Sequence, residues 1–199
     1  MLFSALASCL ALTQLQATVP AASNAPSGAA GKRPNLLLIT LDTTRADHLG
    51  SYGYRLGATP RLDRLGKAGV VVEAALAVTP LTLPSHCSLM TGLYPPRHGV
   101  RDNADFRLPD AETTLAELLL RAGYRTEAVV GSIVLSGALG ISQGFQGYDE
   151  PRPAEAVAGK EIAFQEILER RAGEVTDRAL ARLAAVAGDP FFLWVHYFD

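Results

Sequence analysis

The sequence predicts an α/β protein, a three-layer sandwich in which helices cover both faces of a mostly parallel central sheet. Apolar runs of strand length alternate with helical segments from residue 34 onward. The first run, Leu36–Leu41, is almost continuously apolar, which is typical of a parallel strand covered on both faces. Ligands of such sheets gather beyond the carboxyl ends of the strands, and Asp42 occupies that position on this first strand.

The other elements are predicted from their boundary residues. Thr59 is expected to cap the first helix and Pro60 to lie in its first turn, while Gly92 and Gly123 end the next two helices. Residues 140–165 are rich in Gly, Pro and Gln and are predicted to form a long excursion from the sheet. In chain order, the predicted elements are a helix over 61–68, a strand over 70–75, helices over 84–91 and 113–122, a strand over 124–130, a helix over 174–187 and a strand over 191–197.

Residues 1–33 are predicted to be a signal peptide followed by a linker. Residues 1–19 are uncharged and largely apolar, and the next residues are small and turn-forming. No Lys or Arg precedes the apolar run, so a retained membrane anchor and a lipidated Cys9 stay open as alternatives. We therefore expect an extracytoplasmic protein, periplasmic or secreted, which meets a membrane only if residues 1–19 are retained as an anchor.

Charge and cysteine content exclude some classes of function. The net charge is -2 and no basic block is present, so nucleic acid is not an expected partner. The two cysteines, Cys9 and Cys87, lie on opposite sides of the expected cleavage region and do not form a disulfide framework. Cys87 is predicted to be a small core residue.

Thr82 and Asp42 are the residues that the pattern itself marks for chemistry. Thr82 precedes a helix entered through Pro84, where free backbone N–H groups and the helix dipole favour a bound anion. A threonine hydroxyl becomes a useful nucleophile only when a metal or base lowers its pKa, and Asp42 is placed to hold such a metal. The residues alone leave open that Thr82 is only a helix cap and that Asp42 only caps a loop.

Three ordered segments carry a resemblance to a known family: PNLLLITLDTTRADHLGSYGY at 34–54, TLPSHCSLMTG at 82–92 and GYRTEAVVG at 123–131. Together they resemble the sulfatase family of the alkaline-phosphatase superfamily, and PFFLWVHYFD at 190–199 looks like a later strand of that family. The resemblance implies an alkaline-phosphatase-like fold. It also implies that residues 34–199 are the N-terminal portion of a catalytic domain whose other metal ligands follow Asp199, so that the chain alone is inactive.

Several positions depart from the sulfatase pattern. Sulfatases have a Cys or Ser, converted to formylglycine, where this chain has Thr82, so no formylglycine is expected. His86 replaces the Arg of the nucleophile motif, Thr43 replaces the second Asp after the first strand, and Ser132 replaces a Lys of the later signature.

Thr82 and the residues after it are also similar to nucleotide pyrophosphatase/phosphodiesterases, which use a Thr nucleophile and two zinc ions. That resemblance implies that Thr82 bridges two metals, that Asp42 ligates one of them, and that two Zn are favoured over one Ca or Mg. Ser85, standing where that family has Asn, and His86 are the expected substrate-binding residues.

The leading hypothesis is a metal-dependent hydrolase of sulfate or phosphate esters, acting on a small-molecule, glycan-linked or lipid-linked ester through Thr82. The alternatives are a phosphodiesterase, a membrane phospho-group transferase of the same superfamily, and a non-catalytic sulfatase-like binding module. Three other polar sites are predicted to be structural. They are His98 as a loop tie, His196 as a core residue with its hydrogen bonds satisfied, and 101–103 as an exposed turn.

Overall fold

The computed structural model describes residues 33–151 and 169–198. Residues 1–32 of the predicted leader and linker (1–33) and residues 152–165 of the predicted excursion (140–165) lie outside these residues. No helix of the two described ranges is long and apolar enough to cross a membrane.

A four-stranded sheet forms the centre of the described structure. Every neighbouring pair of strands is parallel, and the spatial order is β1-β4-β2-β3. The strands are β1 (Leu36–Leu41), β2 (Arg125–Val130), β3 (Gly147–Asp149) and β4 (Phe191–Tyr197). The prediction of a parallel sheet is confirmed, and the chain-distant strands β1 and β4 become neighbours.

The four predicted helices are present, with boundaries that shift by no more than two residues. Thr114 begins one of them with a reciprocal capping box, because its hydroxyl accepts the N–H of Glu117 while the Glu117 carboxylate accepts the N–H of Thr114. The helices are α1 (Pro60–Ala68), α2 (Thr82–Thr91), α3 (Pro95–His98), α4 (Leu115–Arg121) and α5 (Ala172–Val186). Short 3-10 turns lie at Ala46–His48, Gly50–Tyr52, Ile133–Leu135 and Gly137–Leu139.

Helices cover both faces of the sheet, which confirms the three-layer prediction. Alternate side chains of a strand point to opposite faces, and β4 contributes to two separate apolar clusters in this way. One cluster contains Trp194 of β4 and Leu83 and Cys87 of α2, so Cys87 is a core residue as predicted. The other contains Val195 of β4 and Val175 of α5.

Three sequence predictions need correction. Residues 70–75 are not a strand, and Val70 is 90% exposed. A run of β-branched residues forms a strand only beside a neighbouring strand that takes up its backbone hydrogen bonds. β1 is parallel but is not covered on both faces: it is an edge strand of the described sheet, and Leu37 and Ile39 are about half exposed. The predicted excursion contains the short strand β3, whose three residues carry little sequence signal.

Candidate functional site

The candidate site lies at the carboxyl ends of β1 and β4. Thr40 of β1 stands opposite His196 of β4, and the pairing extends one step further because the Asp42 N–H donates to the Tyr197 carbonyl at 2.9 Å. Asp42 is two residues after Thr40 and therefore points to the same face as His196. The two side chains meet there, with 3.2 Å between His196 Nε2 and Asp42 Oδ2.

The start of α2 brings Thr82 to the same place. Its side chain lines the same cleft as Asp42, close enough for the Thr82 hydroxyl to lower the pKa of that carboxyl, so the two residues that the sequence marked for chemistry are neighbours. Burial alone raises the pKa of Asp42, but its hydrogen bond with His196, the nearby Thr82 hydroxyl and the neighbouring imidazoles outweigh it, so the pKa lies below its usual value. Asp42 is therefore an ionised carboxylate facing a hydroxyl and an imidazole.

His86 completes the group from the second turn of α2. Its Nδ1 lies 2.8 Å from the carbonyl oxygen of Thr82, and a carbonyl can only accept, so Nδ1 carries the proton. Burial, with a smaller contribution from His196, lowers the pKa of His86 to about 4 against the opposing effects of the Thr82 carbonyl and Asp42. The neutral ring therefore keeps a lone pair on Nε2.

His196 is not the satisfied core residue that the sequence predicted. It is fully buried in β4, and its ring meets that of His86 edge-on with 4.9 Å between the centroids. Its Nδ1 is buried with no hydrogen-bond partner among the described residues. Buried polar atoms in proteins are normally paired, so this nitrogen requires an explanation.

Asp42, His86 and His196 form a compact set of metal-binding groups. One ligand atom from each lies within 4.8 Å of the other two. A carboxylate and two imidazoles suit zinc and related divalent transition metals, whereas calcium and magnesium prefer oxygen ligands alone. The residues present therefore fit a bound divalent metal.

A cleft of about 740 Å³ opens beside this set. Thr82, Ser85 and His86 line one side and Thr40 and Asp42 another, so the structure brings together all four site residues that the sequence proposed. No Lys or Arg of the described residues lines it. An anionic ester in this cleft would need its positive counter-charge from a metal or from groups outside the described ranges.

The start of α2 offers fewer free amides than the sequence suggested. The Leu83 N–H donates to Asn103 Oδ1 at 2.9 Å, and Pro84 has no N–H. The expected anion site at the first turn of α2 therefore has fewer free N–H donors.

The prediction of an exposed turn over 101–103 is wrong for Asn103, which is half-buried. Its hydrogen-bond partner, Leu83, lies 20 positions away, and no local sequence pattern signals such a contact.

Thr43, next to Asp42, has a φ of 51°, the one positive φ of a non-glycine residue in the described chain. A β-branched side chain is strained in the left-handed region. Backbone strain of this kind clusters at functional sites. Thr43 also lines the cleft, at the position where the resemblance implied a second Asp.

His98 ties a loop to α2, as predicted. It is fully buried, its Nδ1 accepts the Val100 N–H at 3.2 Å, and its Nε2 lies 3.0 Å from Ser88 Oγ. Because Nδ1 accepts, the proton sits on Nε2 and is donated to Ser88. This histidine has no part in the cleft.

The chain matches a protein family and curated relatives. A model of the sulfatase family matches residues 34–198. Steryl-sulfatase of Mus musculus is 40% identical over 121 residues, a match covering 56% of this chain and 19% of that protein. The chain thus matches about a fifth of the length of this curated relative.

Two solved structures resemble the chain over most of its length. A protein solved in complex with its substrate D-glucosamine-2-N,6-O-disulfate aligns with a TM-score of 0.67 at 25% identity, covering 83% of this chain and 34% of that one. A protein of the alkaline phosphatase superfamily from Vibrio parahaemolyticus aligns with a TM-score of 0.64 at 22% identity, covering 84% and 40%. The second likeness, at this low identity, concerns the fold alone, and it agrees with the predicted alkaline-phosphatase-like architecture.

Proposed function

This chain belongs to the sulfatase family, and from that premise we propose that it contributes the nucleophile to a metal-dependent hydrolase of sulfate or phosphate esters. The observation that carries the proposal is one ionised carboxylate, that of Asp42, which bonds to His196 at 3.2 Å and has the Thr82 hydroxyl beside it in the same cleft. Because the chain matches about a fifth of the length of its curated relative, the activity of the whole protein is part of the proposal. The expectation that residues 1–199 alone do not hydrolyse an ester is also part of the proposal.

Thr82 is the proposed nucleophile. Thr82 lines the cleft next to Asp42, so an ester bound in the cleft would lie beside its hydroxyl. A divalent metal held by Asp42 and Thr82 would lower the pKa of the hydroxyl and neutralise charge on the ester oxygens. Asp42 stays ionised and orients the hydroxyl.

The covalent step is a transfer to Thr82. A bond forms between Thr82 Oγ1 and the sulfur or phosphorus, the bond from that atom to the ester oxygen breaks, and the hydroxyl proton is lost. The leaving alcohol takes up a proton from solvent. Water then cleaves the threonyl ester, releasing sulfate or phosphate and restoring the hydroxyl.

Ser85 and His86 are proposed to contact the substrate. Ser85 lines the cleft and offers a hydroxyl to an ester oxygen. His86 already donates its one proton to the Thr82 carbonyl, so in its neutral form it cannot protonate a leaving group. As a substrate-binding residue it would act as an acceptor only.

The sulfatase family and the sulfated glucosamine bound by one structural relative support a sulfate ester on a small molecule or glycan. The threonine nucleophile supports phosphate or phosphodiester substrates, with two zinc ions favoured and no formylglycine. An extracytoplasmic location, with a signal peptide at the N-terminus, belongs to the same proposal.

Covalent capture tests the proposal on the whole protein. The protein is mixed with an aryl sulfate, an aryl phosphate or a phosphodiester, quenched in acid, and its peptides are weighed by mass spectrometry. We expect one sulfo or phospho group, which still carries its second ester group when the phosphodiester is used, on the peptide that contains Thr82 and none in the Thr82→Ala variant. Thr113→Ala, which removes an exposed hydroxyl outside the cleft lining, is the matched control.

The substrate that gives the adduct identifies the ester class. Turnover in the Thr82→Ala variant, or an adduct on another residue, would refute Thr82 as the nucleophile. Transfer of the group to an added alcohol in preference to water would indicate a transferase. No adduct with any of the three esters would support a non-catalytic binding module.

A further inference from the structure

We propose that His86 and His196 are metal ligands together with Asp42, so that this segment alone holds one divalent transition-metal ion through one carboxylate and two imidazoles. The inference rests on the proposed function only in placing the metal at the same site. It changes the expected roles of both histidines, of which one was assigned to substrate and the other to the core.

The spacing suits one ion. The Oδ2 of Asp42 and the Nε2 of His196 are 3.2 Å apart. Two ligands on a tetrahedral zinc at bond lengths of about 2.0 to 2.1 Å stand roughly 3.3 Å from each other. The third ligand atom, from His86, lies within 4.8 Å of both, so a small ring movement brings it to bonding distance.

His86 is held in the orientation that a metal ligand needs. Metal-bound histidines almost always donate the other ring N–H to a carbonyl or carboxylate, which fixes the tautomer. The Nδ1 of His86 donates to the Thr82 carbonyl at 2.8 Å, and the ring is only 8% exposed. The free lone pair on Nε2 has no competing proton.

A metal accounts for the close approach of His196 to Asp42. If the proton of His196 is on Nε2, it donates to Asp42 and leaves a buried lone pair on Nδ1 without a donor. If the proton is on Nδ1, the Nε2 lone pair faces a carboxylate oxygen, and a cation between the two atoms turns that repulsion into chelation. The Nδ1 N–H then has no acceptor among the described residues.

The donor set predicts which metals bind. Imidazole nitrogens favour zinc and cobalt over calcium and magnesium. Three protein ligands leave a fourth position for a substrate or water, as in catalytic zinc sites. Thr82, which lines the cleft beside Asp42, would present its hydroxyl toward that fourth position.

Metal titration of the purified 199-residue chain tests the inference without any turnover. Zinc, cobalt, calcium and magnesium are each titrated by calorimetry, and X-ray absorption at the metal edge counts imidazole ligands on the bound ion. We expect one zinc per chain with two imidazoles, and zinc affinity at least about 100-fold above that for calcium.

Zinc affinities of histidine variants distinguish a metal ligand from a residue that only orients a ligand. His86→Gln and His196→Gln should each weaken zinc binding by more than the roughly 10- to 100-fold that loss of an outer partner costs. His48→Gln, which removes a half-exposed histidine outside the set, is the matched control and should bind zinc normally. Thermal unfolding of each metal-free variant shows whether it is folded.

Three results would overturn the inference. They are an ion with fewer than two imidazoles in the wild-type chain, calcium or magnesium binding tighter than zinc, and folded histidine variants that bind zinc like His48→Gln. The absorption measurement needs no variant, so a variant that fails to fold does not prevent a decision. Zinc bound through both histidines with no Thr82 adduct would refute the proposed function alone, whereas an adduct with an all-oxygen metal site would refute this inference alone.

Discussion

The imidazole of His196 and the carboxylate of Asp42 are in contact at 3.2 Å although 154 positions separate them in the chain. The contact exists because β1 and β4 are hydrogen-bonded parallel neighbours, with Thr40 opposite His196. An additional bond beneath the site fixes the same register, since the Trp194 indole N–H donates to Thr40 Oγ1 at 3.0 Å. The candidate site is therefore assembled by the pairing of two strands from opposite ends of the described chain.

Asn103 is predicted to position Thr82, the proposed nucleophile. Its Oδ1 accepts the Leu83 N–H next to Thr82, so Asn103→Ala should cost about 1 kcal/mol of stability, as loss of a helix cap does. We expect the variant to lower the turnover of the whole protein with the affinity for zinc largely kept. Asn103→Asp retains the acceptor and should restore both stability and turnover; urea unfolding and steady-state kinetics measure the two effects. An Ala variant as stable and active as the wild type would show that this bond is dispensable.

Thr43 is predicted to store strain beside Asp42. Because its φ is 51°, Thr43→Asn, which places a residue tolerant of the left-handed region there, should raise the free energy of unfolding by about 1 kcal/mol. Thr44→Asn, at the next position and without a positive φ, is the control and should be close to neutral. Urea unfolding of both variants checks the difference, and equal effects at the two positions would contradict the strain argument.

Arg170 is predicted to stabilise the carboxyl ends of β2 and β3. Its guanidinium, with 9% of the side chain exposed, bonds to the Asp149 carboxylate at 2.8 Å and to the backbone carbonyl of Asp149 at 3.2 Å. Arg170→Ala leaves the mostly buried carboxylate of Asp149 with only the longer contacts to Arg178 and Arg182. The variant should lower the free energy of unfolding by about 3 kcal/mol. Arg107→Ala, which breaks the exposed Arg107–Asp110 pair, should cost less than about 1 kcal/mol.

Thermal or urea unfolding compares the two arginine variants directly. Arg170→Lys should recover little of the loss, because a lysine cannot make the several directed bonds of a guanidinium. Similar costs for the Arg170 and Arg107 variants would show that burial of the first pair contributes nothing to stability.

His98 makes stability depend on pH. Burial lowers the pKa of His98 below its ordinary value, with Glu112 opposing, and the Nδ1 that would be protonated already accepts the Val100 N–H. The unfolded chain therefore binds a proton that the folded chain does not, so stability is complete above about pH 6.5 and falls as the pH is lowered toward the folded pKa. Buried His86 contributes with the same sign.

The pH effect is measured by urea unfolding at about pH 7.5 and about pH 5. His98→Asn keeps an acceptor for the Val100 N–H but does not titrate, so the variant should lose less stability than the wild type on acidification. An equal loss in both proteins would exclude His98 as a source of the pH dependence.

Local signals were sufficient for the elements that have clear boundaries. The bounds of β1 and β4 agree with the predicted 36–41 and 191–197, because a compact apolar run between polar residues has one obvious extent. The run at 70–75 is also largely apolar but is exposed and irregular, since no strand pairs with it among the described residues. Composition indicates which segments can be strands, and only the availability of a partner decides which of them are.

The sequence by itself determined the layered α/β fold and two members of the site, Asp42 and Thr82, because a strand end and a helix start are local features that place side chains where ligands bind. Only the tertiary structure decided that His196 and Asn103 belong to the same region. Their contacts join residues 154 and 20 positions apart, and such pairings are set by strand register and loop packing, which leave no local pattern in the chain.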